Sequence, residues 1–571
     1  MQPHPKGPRA RVLLSSVFKP FAQDDEFGSR AINPVELYHN QVTREQGPFS
    51  LRMFHRTWSL MLLQQNISAP CTVLDFPTRD RFVRELTSHD YDIVGLTGII
   101  VNVGKIREMC RLVREHSPRS TIVVGGHVTA IPGIEKTIDA DHIVKGEGVA
   151  WLRAFLGEDA ERRIEHPLIP SSFGFRLMGL PAPSGGGNAA ATIIPSVGCP
   201  MGCNFCTTSE FFGGKGKMVT FLERGEDVFR VMCQAEAHLG ARAFFMMDEN
   251  FLLYKKRALE LLDLMKVHGK AWSLYVFSSA NAIRKYDVRQ LVELGVEWIW
   301  IGLESSGSQY QKLKGADTQA LARELQSHGI RVHGSTIIGL EHHTPDNIDE
   351  VIDHAVAHDT VFHQFMLYTP VPGTPLYREV QSEGRLLDDV DLADIHGQFK
   401  FNFRHAAISR DQSKTFLDRA FRRDFDVNGP SLYRLIASML TGWRRYRDDP
   451  DARVRARVRG EATQLRLGWG AALWAMEKYL RESNRTVSDR IADLRGQLER
   501  EVGGLAPVID RLAGPVLLWS ARRDARLAPA GRVLEPRTFV DRRNWRRDWL
   551  PVTRLFRRSS DDLHMERRLA S

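Results

Sequence analysis

"IIPSVGCPMGCNFCTTSEFF", residues 193–212, holds three of the chain's six cysteines, Cys199, Cys203 and Cys206, spaced C-x3-C-x2-C. The stretch follows an apolar run and is broken by Gly and Pro, which puts the thiols on a loop just after a strand. An iron–sulfur cubane takes four ligands, so a motif of three thiols leaves one iron open to an exogenous ligand. Zinc completed by a histidine or water is the competing metal reading, and simple interior packing is the plain one. Crowding in a loop favours the cluster.

Working outward, the apolar runs "TIIPSV", "RAFFMMDENF", "SLYVFSSA", "WIWIGLES", "RVHGSTIIGL" and "FHQFMLYTPV" alternate with helical segments such as "KRALELLDLMKVHG". That alternation predicts a full or partial TIM-type (β/α) barrel over 191–404, with active residues just after its strands. Upstream, "RVLLSSV", "CTVLDF", "DIVGLTGII", "TIVVGGH" and "DHIVKGEG" alternate with helices, one placing Ile106, Met109, Cys110 and Val113 on one face. They predict a flavodoxin-like, doubly wound parallel sheet over 1–168, binding its ligand at the carboxyl ends of the strands. A Gly/Pro/Ser-rich linker spans 169–190, and 405–571 reads as a mostly α-helical, basic domain.

At 571 residues the chain should divide into about three or four domains. It contains no apolar run long enough to span a membrane. The start, "MQPHPKGPRARVLLSS", lacks the apolar core and cleavage site of a secretory signal, so a cytoplasmic protein is expected. Six cysteines, half of them clustered, are no disulfide framework. Residues 401–571 hold 36 Arg and Lys against 22 Asp and Glu, a net +14 in a chain of +9. A basic tail on a slightly acidic body suggests an anionic partner for the tail alone.

The cysteine spacing, with aromatic Phe205 before the last cysteine, resembles the radical S-adenosylmethionine (SAM) superfamily. There SAM chelates the open iron of a [4Fe–4S] cluster, and its reductive cleavage gives a 5′-deoxyadenosyl radical. The resemblance runs over about 190–400. "MMDENF" (246–251) falls where the family places a polar element for the SAM amino group. Asp248, Glu249 and Asn250 stand there in place of the commoner Gly-Gly-Glu, leaving open which of them makes the contact. "FSSA" (277–280) and "GLES" (302–305) imply Ser278 and Glu304 as ribose and aminoacyl contacts. "GSTIIGLE" (334–341), with Ile337, resembles the adenine-backing strand. "YTPVPGTPLY" (368–377) resembles the closing strand, whose Tyr368 is a candidate relay for a hydrogen atom or proton, or a pocket lining.

The N-terminal sheet resembles the cobalamin-binding domain. A small hydroxyl residue, Thr97, with Gly98, and a Gly pair, Gly125 and Gly126, would open a slot for the nucleotide tail; His127, Gly146 and Glu147 follow as candidate contacts. The loop after the first strand, 15–28, has no histidine, which implies base-off cobalamin whose lower face is open or water-bound. A sheet without corrin is the alternative. With no second cysteine triplet upstream and none after Cys233, auxiliary clusters are not expected.

Together these resemblances imply a cobalamin-dependent radical SAM enzyme that methylates an unactivated carbon, served by an electron donor such as flavodoxin or ferredoxin. Cyclisation or oxygen insertion is the second reading, and a cobalamin or redox sensor the third. In the tail, Leu432, Leu435, Ile436, Met439, Leu440 and Trp443 form a helical stripe beside Arg434, Arg444, Arg445 and Arg447, and 541–558 interleaves Trp with Arg. This pattern suits the headgroup layer of the inner membrane face and a lipid or terpenoid-like substrate, with nucleic acid the weaker choice. Packing within the helical domain is the plain reading.

Overall fold

The computed structural model describes residues 2–19, 27, 38–53, 55–171, 175–181, 190–305, 310–313, 315–502, 506–527 and 537–545. The first sheet is built from β1 (Val12–Ser16), β2 (Cys71–Asp75), β3 (Ile93–Thr97), β4 (Thr121–Gly125) and β5 (His142–Ile143), all parallel in the order 2-1-3-4-5. β1 and β2 are buried at every position, as expected of strands covered on both faces. Helix α1 (Val103–His116) lays Ile106, Met109, Cys110 and Val113 onto Leu13, Val94 and Ile122, while α2 (Gly148–Phe155) covers the other face with Leu152 and Phe155. The order in which strands are added reverses between β1 and β3, so a crevice opens at their carboxyl ends.

The second sheet runs through β6 (Ile169–Pro170), β7 (Ala190–Ile193), β8 (Ala243–Met246), β9 (Ser273–Ser278), β10 (Val296–Glu304), β11 (Arg331–Ile338) and β12 (Phe362–Leu367). β7 to β12 pair in parallel in sequence order, and β6, from the stretch read as linker, adds antiparallel to β7. Among the described residues β6 and β12 are not paired with each other. In β9 burial alternates: Leu274 and Val276 pack outward, while Tyr275 and Phe277 turn inward and meet Phe245, Trp298 and Trp300. These rings plug the inside below the strand ends. The short helix α3 (Thr207–Phe211) follows the cysteine loop.

The C-terminal region is helical, including α4 (Ser431–Tyr446), α5 (Gly470–Leu480), α6 (Arg485–Val502) and α7 (Ala506–Leu527). Here the structure corrects the membrane reading of α4. Leu432, Ile436, Met439 and Leu440 are buried in one core with Leu473, Met476, Ile491 and Leu494. Arg434 is buried too, 2.7 Å from Asp424 and donating to Thr360 O at 2.6 Å, and Arg444 and Arg447 both pair with Glu501. The stripe is apolar because a core covers it.

The tail is not helical throughout. β13 (Phe539–Arg543) pairs antiparallel with β2 at the edge of the first sheet, Arg542 lies 2.5 Å from Glu85, and Trp545 packs against Tyr91. Those Arg and Trp residues are therefore spent on packing, and 546–558 lie outside the described residues. Among the described residues no helix is long and apolar enough to cross a membrane.

Candidate active site

The cysteine loop folds on itself before α3 begins. Cys206 caps that helix, its sulfur accepting from Ser209 N at 3.5 Å; Ser209 Oγ donates to Cys199 O at 2.6 Å, and Cys206 N donates to Cys203 O at 3.0 Å. Gly202 takes φ +67°, where a Cβ would lie 2.5 Å from Lys215 Cβ, so only glycine fits the turn. Leu376 N donates to Asn204 O and Arg378 pairs with Glu210, latching the loop to the segment after β12. All three thiols line one cavity of about 640 Å³. Burial pushes all three up, Cys206 to about 11, so it would take a metal's charge to hold them as thiolates at neutral pH.

Among the described residues no three His, Cys, Asp or Glu side chains are grouped to hold a single metal ion. A cluster asks for something else: three thiols around a space, each to a different iron, with no fourth protein ligand. The donor set and its placement on the cavity wall fit that demand.

The strand ends sort the other candidates. Asp248, after β8, turns away from the cavity: its carboxylate meets buried Arg257 at 2.5 Å and accepts from Ser196 Oγ at 2.6 Å. Glu249 and Asn250 line the cavity instead. Burial, then the charge of Asp248, pushes the Glu249 carboxyl up to about 7. Asn250 Oδ1 accepts from Ser278 Oγ and Ser279 N, both at 3.1 Å, joining the ends of β8 and β9. Ser278 and Ile337 also face the cavity.

Glu304 ends β10 at φ +57°, beside a register shift against β11. Such irregularities re-aim side chains at sites. Its carboxylate pairs with Lys312, whose ammonium lies 5.5 Å from the Phe205 ring centre. Burial works to lower the Lys312 pKa, but the charges of Glu304 and Cys203 outweigh it and hold the value above that of an ordinary lysine. Tyr368 accepts from Asn204 Nδ2 at 3.2 Å, Tyr310 donates to Asn204 Oδ1 at 3.2 Å, and both rings meet Phe205 edge-on.

At the first sheet the glycines have distinct tasks. Gly126 sits at φ +81°, and a Cβ there would come within 2.5 Å of Thr97 Oγ1 and 2.7 Å of Gly98 O; a Cβ on Gly98 would press Ile106 at 3.1 Å. Thr97, Gly98 and Gly126 thus close on one another. A Cβ on Gly125 would meet nothing nearer than Val144 O at 3.9 Å, and one on Gly146 nothing nearer than Phe211 O at 3.8 Å, so the strand edge stays open beside them. Glu147 is occupied otherwise: its carboxylate caps α2 through Val149 N and Ala150 N. His127 faces the cavity, packs on Phe211 at 4.4 Å, and carries a buried Nδ1 without a hydrogen bond; burial lowers its pKa to about 4, leaving it neutral. An open edge and an orphaned, neutral imidazole fit a large planar ligand over the sheet. The loop that would hold a lower cobalt ligand lies outside the described residues from 20 to 26 and at 28.

Sequence reading missed Lys312 and Gln41, which also line the cavity. Lys312 lies only eight residues after Glu304, and a motif carboxylate without a basic partner is a usable signal. Gln41 carries none.

Residues 60–156 match the B12 binding domain, and residues 193–355 match the radical SAM superfamily. Bacteriochlorophyllide d C-8(2)-methyltransferase of Chlorobaculum tepidum is 25% identical, over 57% of this chain and 75% of its own. Bacteriochlorophyllide d C-12(1)-methyltransferase of the same organism is 30% identical over 36% and 46%. Hopanoid C-2 methylase of Rhodopseudomonas palustris is 24% identical over 54% and 62%. Both matches stand in one chain, which gives it the domain pair of the cobalamin-dependent radical SAM enzymes. Its cofactors are a [4Fe–4S] cluster, SAM and cobalamin.

Proposed function

We propose that the chain methylates an unactivated carbon of a small hydrophobic or lipid-like substrate. One observation carries the reading: a single cavity is walled by Ile99, Ile100, Val101 and His127 from the first sheet and by the cysteine loop and strand ends from the second. Groups held by the two sheets would face one another across it. When bound, SAM on the cluster supplies a carbon-centred radical that takes a hydrogen atom, and cobalamin supplies the methyl group. The protein's residues orient these partners and exclude water.

In this reading Cys199, Cys203 and Cys206 hold the cluster. Glu249, with Asn250 braced by Ser278, receives the SAM amino group, Phe205 and Ile337 pack its rings, and Lys312 fixes Glu304. Asp248 supports β8 from outside, Tyr368 lines the substrate end, and His127 meets the corrin over the open edge at Gly125.

The substrate class rests on the remaining wall. Phe277, Met366, Leu367 and Val371 make it largely apolar. A run of neutral polar groups on it is already paired: Trp300 Nε1 donates to Ser335 Oγ, Ser335 Oγ to Gln364 Oε1, and Gln364 Nε2 to Gln41 Oε1. Such a wall suits a molecule with little charge, and one of the relatives is named a hopanoid C-2 methylase. A reductant such as flavodoxin or ferredoxin in the cytoplasm would feed the cluster.

The test uses anaerobically reconstituted protein and SAM carrying a deuterated methyl group. The label is expected in the product together with 5′-deoxyadenosine. Deoxyadenosine without label transfer would exclude methylation and favour ring formation, and iron retained after all three cysteines are changed to Ala would remove the cluster assignment. Lipid extracts of cells with and without the protein should differ by one methyl group in a single species.

A further inference from the structure

Helix α7 (Ala506–Leu527) carries the pattern that α4 only imitates. Val508, Leu512, Val516 and Trp519 are 56%, 73%, 56% and 61% exposed. At about 100° per residue they fall within a sector of about 80°. Arg511, Arg522, Arg523 and Arg526 are exposed and fall within about 60° of Val508 on either side. The acidic residues lie elsewhere: Asp510 is buried on the opposite face with Ser520 and Ala521, and Asp524 is half-buried. That inner face is committed to packing, because a Cβ on Gly514 would strike the Trp474 ring at 2.6 Å.

The outward face of α7 is thus apolar residues and arginines, with no exposed acid between them among the described residues. None of the four arginines makes an ion pair with a described residue. A cleft of about 420 Å³ opens between Trp474 and Trp519, with Arg522, Arg523 and Arg526 around it. Arg523 lies 5.4 Å from the Trp519 ring centre, so indole and guanidinium stand together at the surface.

We propose that this face docks on an anionic phospholipid surface, the apolar row entering the acyl boundary and the arginines meeting headgroup phosphates. The helix lies flat, since its inner face stays on α5. Charge selects this occupant. A second copy would set four arginines against four, and residues 546–571 of this chain carry seven Arg against four Asp and Glu, the same sign again. A bilayer rich in phosphate offers the complement, and its attraction is screened by salt. The inference does not depend on the reaction, because attachment is read without turnover.

The experiment is flotation of the purified full chain with vesicles of phosphatidylcholine alone and with added phosphatidylglycerol, at low and high salt. Flotation is expected with the anionic vesicles at low salt only. The double variant Leu512→Glu, Val516→Glu should weaken it more than about tenfold, as should Arg522→Gln with Arg523→Gln and Arg526→Gln. Val267→Glu, at an isolated apolar residue 78% exposed, should leave it unchanged. Helicity and melting temperature of each variant check that the fold survives. The proposal is overturned by failure to float at low salt, by flotation indifferent to Leu512→Glu, Val516→Glu, by a dimer in sedimentation that this variant dissolves, or by arginine-dependent retention on RNA in place of flotation.

Discussion

The ends of strands β8 and β10 each carry a buried carboxylate paired with a basic residue, and the two pairs face opposite ways. Asp248 and Arg257 lie behind β8, sealed from the cavity; Glu304 and Lys312 lie on the cavity wall beside Phe205 and Cys203. Both carboxylates sit in motifs that point to cofactor contact. The difference shows that a motif marks a strand end, while the partner's position decides whether a side chain serves the fold or the site. Arg257, nine residues after Asp248, pulls it outward and leaves Glu249 as the acid that faces the cavity.

The largest effect expected from this comparison is at the outer pair. Arg257→Met strands a buried carboxylate and should cost about 3–5 kcal/mol, seen as an earlier urea midpoint, with Asp248→Asn in the same chain recovering part of it. If Arg257→Met unfolds no more easily than the natural chain, the two pairs are not different in kind.

A smaller loss is expected at the inner pair. Lys312→Met leaves Glu304 facing a cavity that water can enter, so stability should fall by about 1–2 kcal/mol while SAM binding to reconstituted protein weakens at least tenfold. Equal losses of stability at 257 and 312, with SAM binding intact, would break the distinction.

The smallest effect sharpens it through pH. The raised pKa of Glu249 means the folded cofactor-free protein keeps this proton to about 7, whereas the unfolded chain releases it near 4.5. Its contribution to stability is therefore full below about 4.5 and lost as pH rises through about 7. Glu249→Gln should match the natural chain at pH 4 and exceed it at pH 8, by on the order of 1 kcal/mol because the carboxyl keeps contact with the cavity. A constant difference across that range would mean that Glu249 does not titrate as described.

Much of the site was legible because its signals are local. The cysteine spacing, the Gly turns and the small residues after each strand are properties of a few consecutive residues, and they put Cys199, Cys203, Cys206, Ser278, Glu304 and the 248–250 strand end at one cavity. Glu147 was misread for the same reason: an acid after a glycine reads as a ligand contact, yet one turn later its carboxylate has the amides of α2 to accept. The tail shows the limit more sharply. α4 and α7 both carry an apolar row beside arginines, and periodicity assigns them the same role. α5 and α6 cover the row of α4, whereas the row of α7 points outward.

The sequence by itself determined the two β/α series, the cluster loop and the glycine-lined strand edge, because alternation, helical spacing and backbone permissiveness are set within a turn or a strand. Only the tertiary structure decided which of Asp248 and Glu249 faces the cavity, that Lys312 reaches Glu304, that β13 returns to the first sheet, and which tail helix keeps its apolar row exposed. Each of those outcomes turns on a neighbour distant in the chain or on the direction in which a strand end is bent. Burial and ion pairing are sums over such neighbours, and spacing along the chain does not contain them.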